Sequence, residues 1–185
     1  MEESMKATGI VRRIDELGRV VIPKEIRRTL RIKEGDPLEI FTDRDELMLK
    51  KYSPIATLEK FSKATARSLN DLSGKLAVIC DTDGVLHAYG DGKKDLDGKI
   101  LSEDMDRILR ERRSYMANAS EGEKILPLTN TREEGVTAQI IVPIVSGGDC
   151  LGAVAVLSKE EGAKMNEADA NLARLTADIL ANQFE

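Results

Sequence analysis

Tryptophan is absent from this chain, aromatic residues make up 3% of it, and it has one histidine and two cysteines. Each scarcity excludes something. Cys80 and Cys150 lie in apolar surroundings without paired spacing, which excludes a disulfide framework or a zinc ribbon and predicts buried thiols in a reducing compartment. His87 has no second histidine and no nearby cysteine, so a metal centre or a histidine-based nucleophile relay lacks its parts. No metal and no cofactor are expected. The sequence has no run of roughly 18 apolar residues and no charged-then-apolar leader, which predicts a cytoplasmic protein with no membrane partner.

Positive charge is also short overall, the net charge being -5, and a phosphate-binding face normally needs the opposite sign. The average conceals a division along the chain. From Met5 to Lys33 nine basic residues face three acidic ones, whereas residues 53–185 hold sixteen basic and twenty-two acidic residues. Such a separation is expected where one module meets a polyanion and the other stays off it. The length leaves room for a small module followed by a domain of about 100 to 130 residues.

In the first module Ala7–Ile14 and Arg19–Ile22 are rich in Val, Ile and Thr and flank Asp15-Glu16-Leu17-Gly18, which predicts two strands around a turn. Pro23 suits a first helical residue, and Lys24–Leu30 make about two helical turns before Gly35-Asp36-Pro37. A second strand pair is predicted over 37–42 and 46–51, around Asp43-Arg44-Asp45. On the short helix Ile26 and Leu30 fall on one side and Lys24, Arg27, Arg28 and Arg31 on the other, which predicts one buried and one cationic face. Arg12, Arg13 and Arg19 bracket the preceding turn. With no aromatic residue among these cations, stacking on single-stranded bases is disfavoured and the duplex is the expected partner. About fifty residues with so little apolar surface cannot stand alone without metal or disulfide, so the module is expected to dimerise.

The run Met5-Lys6-Ala7-Thr8-Gly9-Ile10-Val11-Arg12-Arg13-Ile14-Asp15-Glu16-Leu17-Gly18-Arg19-Val20-Val21-Ile22-Pro23, with 25–30 and Lys50-Lys51-Tyr52, closely resembles the AbrB family of transition-state regulators. With its second domain the whole chain resembles the sporulation branch of that family in endospore-forming bacteria. The resemblance implies a swapped-hairpin fold in which two chains interleave strands into one β-barrel. It also implies transcription regulation, as activator or repressor, by a nucleoid-associated protein of the forespore. Carried over by position, the DNA-binding residues are Arg12, Arg19, Arg27 and Arg28, with Arg13 standing where relatives carry a basic residue of either kind.

Ser53-Pro54 opens an expected connecting helix over 53–73, with Ile55, Leu58, Phe61, Leu69 and Leu72 on one stripe. Residues 74–185 form the second domain. Strands are predicted over 76–80 and 85–89 around Asp81-Thr82-Asp83-Gly84, a helix from Ser102 to about Arg113, strands over 139–145 and 150–157, and a final helix capped by Asn166. In that last helix Ala168, Leu172, Leu175 and Ile179 have the spacing of a helix-packing seam. Ile141-Val142-Pro143-Ile144 followed by Leu151-Gly152-Ala153-Val154 resembles the late strands of GAF domains. That resemblance implies a sensor domain able to hold an unidentified small molecule and to pair with another copy, so the expected fold class is α+β and the expected assembly a homotetramer. One motif points elsewhere. Val78-Ile79-Cys80-Asp81-Thr82-Asp83-Gly84 resembles the first motif of haloacid-dehalogenase-type phosphatases, with Asp81 as nucleophile and Asp83 as acid/base in a magnesium-dependent reaction. The chain beyond Asp83 is too short and too hairpin-like for that fold, and Asp-x-Asp-Gly also suits a β-turn, so a non-enzyme is the expectation.

Overall fold

The computed structural model describes residues 8–131 and 134–184. The chain divides into two compact units, Met1–Tyr52 and Ser53–Glu185.

In the first unit α1 spans Lys24–Thr29, after Pro23 at its N-cap, and two strands follow, β1 (Leu38–Asp43) and β2 (Glu46–Lys51). They form an antiparallel hairpin in the register Leu38↔Lys51 to Asp43↔Glu46, with the chain turning at Arg44 and Asp45. Asp36 closes its base: its carboxylate takes the Lys51 ammonium at 3.0 Å and the Lys33 amide at 2.8 Å.

The expected N-terminal strands are not formed within the single chain. Residues 8–22 hold a turn at Glu16–Gly18 and no strand, and Ala7 lies outside the described residues. Only Asp15 and Arg19 bond across the turn, so the extended arms leave their remaining ladder groups without a neighbouring strand. Nor does α1 bury its apolar side: it has no buried residue, and Leu30 is 55% exposed. Among the described residues of this unit only Pro23 is buried.

The second unit is built on a five-stranded antiparallel sheet. Its strands are β3 (Leu76–Cys80), β4 (Val85–Tyr89), β5 (Tyr115–Asn118), β6 (Ala138–Ser146) and β7 (Asp149–Ser158), in the order β4-β3-β7-β6-β5. Alternation along the strands fills both faces. Ala77, Ile79, Ile140, Val154 and Val156 meet α3 (Glu59–Ser73) and α5 (Glu167–Ala181), while Leu76, Val78, Cys80, Ile141 and Ala155 meet α4 (Glu103–Glu111) and the leucines of its flanking loops. A β-carbon on Gly152 would collide with the Cys80 carbonyl, so β3 and β7 meet closely only because that position has none.

Several expectations shift. The connecting helix is two, α2 (Pro54–Thr57) and α3, broken at Leu58, and the face α3 buries is Ser62, Ala66 and Leu69 while Leu72 is exposed. In α5 the buried side is Ala170, Ala173, Ala177 and Leu180; the seam residues Ala168, Leu175 and Ile179 are exposed and Leu172 is half-buried. Three alanines let that helix lie close on the sheet, with Leu180 the one large residue fully buried there, while Leu175 and Ile179 face solvent. Strand β5 carries little sequence signal, being four residues long with no β-branched residue. Cys80 is buried as expected, whereas Cys150 is only half-buried at the start of β7, and both are free thiols.

Candidate nucleic-acid interface

The turn between the N-terminal arms is organised by one carboxylate. Asp15 Oδ1 accepts the amides of Leu17 at 3.0 Å and Arg19 at 2.8 Å, and Gly18, at φ 76°, returns its amide to the Asp15 carbonyl at 3.0 Å. This is an Asx-type turn, for which aspartate at the first position and glycine at the left-handed one are the suited residues. The Arg19 amide, and then its guanidinium, hold the Asp15 carboxyl below its ordinary value.

Arg19 is therefore oriented. Its Nε donates to Asp15 Oδ2 at 2.8 Å while its side chain stays 71% exposed. A single contact through Nε fixes the guanidinium plane against its own turn. Arg12 and Arg13 lie before the turn, both exposed, and Arg12 Nη1 donates to the Val11 carbonyl at 3.1 Å. Arg27 and Arg28 lie side by side in the last turn of α1, where cations also suit the helix dipole. Among the described residues, no carboxylate pairs with Arg12, Arg13, Arg27 or Arg28. The turn thus displays three of the expected cations and α1 the other two, joined by the stretch from Val20 to Pro23. Sequence reasoning misses Asp15, which positions Arg19, although the Asp-x-x-Gly spacing is the signal that marks it.

Beside these cations the unit exposes apolar side chains on an unusual scale: Val11 at 84%, Leu17 at 75%, Val21 at 72% and Ile14 at 71%, with Ile40 and Leu47 on the β1–β2 hairpin each at 61%. So little burial within one copy leaves these apolar side chains in solvent, an exposed apolar area of the kind found at protein interfaces.

In the second unit the Asp81–Gly84 segment is structural. The Asp81 carboxylate accepts the amides of Asp83 and Gly84, both at 2.8 Å, and closes the β3–β4 turn on an antiparallel sheet. A phosphatase of the haloacid-dehalogenase type needs that carboxylate at the end of a strand in a parallel sheet, and finds no support here.

Comparison with known proteins gives the class. A family profile described as Stage V sporulation protein T C-terminal, transcription factor, matches residues 57–185, and one described as Antidote-toxin recognition MazE, bacterial antitoxin, matches residues 11–57. Transition state regulatory protein AbrB of Bacillus subtilis (strain 168) is 51% identical over 74 residues, covering 40% of this chain and 77% of that protein. The second unit has the GAF fold. The GAF domain from Acinetobacter phosphoenolpyruvate-protein phosphotransferase superposes with a TM-score of 0.56 at 13% identity, over 87% of this chain and 93% of that one. An AbrB-type module followed by a GAF-fold unit defines a bacterial transcription factor. Stage V sporulation protein T of Bacillus subtilis (strain 168) is 48% identical over 182 residues, 98% of this chain and 99% of that protein. The chain belongs to the stage V sporulation protein T family.

Proposed function

We propose that this chain binds duplex DNA through Arg12, Arg13, Arg19, Arg27 and Arg28 of two interwoven first units, and so activates or represses sporulation genes. The observation that carries the reading is the pairing of two features in one small unit: exposed arginines, four of the five without a carboxylate partner among the described residues, and apolar arms that nothing in the same copy covers. Interleaving two copies would cover Val11, Ile14 and Val21 and double the cations. The duplex, itself two-fold symmetric, suits such a dimer. Guanidinium forks can then take phosphate oxygens and the O6 and N7 edges of guanine. Arg19, tethered through Nε, keeps its terminal nitrogens for such contacts.

The GAF-fold unit acts without catalysis. Its exposed Leu175 and Ile179, beside the half-buried Leu172, pair with another copy and join two dimers into a tetramer. DNA binding is tuned through this assembly or through a small molecule held by the unit. The protein works in the cytoplasm, on the nucleoid, within the forespore.

The mass of residues 1–52 and of the full chain in solution tests the reading together with DNA binding. A dimeric fragment, a tetrameric whole and a salt-sensitive shift of duplex DNA are expected. A monomeric fragment, or a full chain that leaves promoter DNA unshifted at moderate ionic strength, would overturn it.

A further inference from the structure

One end of the five-stranded sheet carries a cleft. Leu76 opens β3 against Leu157 of β7, and Ala77 pairs with Tyr89 of β4, so Lys75, Ser158 and Asp91 all leave the ladder at that end. The end of α3 completes the cleft: Gly74 takes the C-cap, and the Asn70 side-chain amide donates to the Lys75 carbonyl at 2.7 Å. The space between them measures about 210 Å³, and Leu76 and Leu157 line its apolar part. At about 30 Å³ for each water it would take about seven waters, or a molecule of about as many heavy atoms.

One wall is built to close tolerance. Asp91 stands between two glycines at positive φ, Gly90 at 116° and Gly92 at 85°. A β-carbon on Gly90 would come within 2.9 Å of the Leu76 Cα, so the loop lies against β3 only because that position has none. One on Gly92 would displace the Lys159 ammonium, 2.8 Å away. The charges that line the cleft divide into committed and available groups. Lys75 Nζ is held by the buried Asp169 at 2.9 Å. Lys159 Nζ has only Asp95, at 3.6 Å, beyond hydrogen-bond length and on a carboxylate 67% exposed. Asp91 and Glu160 pair with no cation among the described residues. Ser158 is buried, and its Oγ accepts the Glu160 amide at 3.3 Å, which leaves the O–H to donate.

We propose that this cleft binds a small zwitterionic amino acid. Its carboxylate meets Lys159 and the Ser158 hydroxyl, its ammonium meets Asp91 and Glu160, and its side chain lies toward Leu76 and Leu157. Both signs of charge are needed. With Lys75 neutralised by Asp169, a plain anion would face two carboxylates against one available ammonium, and a plain cation would be repelled by Lys159. A molecule that carries both charges answers each group with its opposite, and the size of the space selects a short side chain. This names a ligand class for the small-molecule arm of the proposed function and rests on that reading for any effect on DNA; the binding itself involves the second unit alone.

The test is equilibrium dialysis of radiolabelled L-valine against the full chain, with isobutylamine and isovalerate as competitors that each keep one of its two charges. Saturable valine binding is expected. Each competitor should bind roughly tenfold more weakly or worse, since it loses a charge-assisted contact. Lys159→Ala and Asp91→Asn should each weaken valine binding roughly tenfold, with circular dichroism spectra like that of the wild type. Lys94→Ala, which removes an exposed lysine of the same loop, should leave binding unchanged. The proposal is overturned if valine shows no saturable binding, if either single-charge competitor matches it, or if Lys159→Ala and Asp91→Asn both bind it like the wild type. Failure of the DNA reading shows separately, as a wild type that binds valine and leaves duplex DNA unbound.

Discussion

Asp15 is the residue on which the turn between the N-terminal arms depends. Its carboxylate holds two backbone amides and the Arg19 guanidinium, so Asp15→Ala removes the orientation of Arg19 without removing its charge. Duplex affinity should fall in this variant, by less than in Arg19→Ala, as an anisotropy titration would show. The same carboxylate sets a pH dependence. Its folded pKa is lowered, so its contribution is present above the ordinary value of 3.8 and is lost as pH falls through the lower folded value. Carboxyl chemical shifts followed by NMR should therefore place the Asp15 midpoint below 3.8; a midpoint at or above that value would contradict the hydrogen bonding described. In the second unit, Lys75 Nζ meets Asp169 Oδ1 at 2.9 Å, and Asp169 is 5% exposed and also completes the capping box of α5. Lys75→Met should leave that carboxylate buried and unpaired, costing about 3 kcal/mol in chemical denaturation. A cost near zero would mean that the helix cap alone satisfies Asp169.

Elements divide into those that the local sequence determines and those that need a partner. Four of the five strands of the GAF-fold unit are legible, Leu76–Cys80 and Val85–Tyr89 as short apolar runs around Asp-Thr-Asp-Gly, while β5 is not, and α5 announces its start with Asn166 and Asp169. Which side of α5 meets the sheet is not legible by the same means. A wheel favours the larger apolar residues Leu172, Leu175 and Ile179, yet the sheet takes Ala170, Ala173, Ala177 and Leu180, with Leu172 half-buried against them. That inversion has a consequence for assembly. Leu175→Glu together with Ile179→Glu should keep the fold, because both side chains are exposed, and should convert the proposed tetramer to dimers in light scattering. Leu180→Ala, at a fully buried position of the same helix, should instead cost about 2 to 5 kcal/mol of stability with no such specific change in assembly. The arms of the first unit illustrate the other limit. Their β-branched sequence is that of strands, but among the described residues only Asp15 and Arg19 pair across the turn, and no other strand of the chain lies beside the arms.

At the scale of the whole molecule, an under-packed first unit with a basic stretch from Met5 to Lys33 is joined to an acidic, well-packed second one. The division of charge is legible from the order of residues alone, and the basic excess ends at Lys33, inside the first unit, whose boundary falls later, at Tyr52–Ser53. The central claim is that arginines of two interwoven first units meet the phosphates of one duplex. Its most direct test is the salt dependence of duplex binding by the full chain, compared between the wild type and Arg27→Ala. Each lost phosphate contact should make the log–log slope shallower by about 0.9, so loss from both copies of a dimer should change it by about 1.8. A wild-type slope near zero, or one that Arg27→Ala leaves unchanged along with the affinity, would contradict the account.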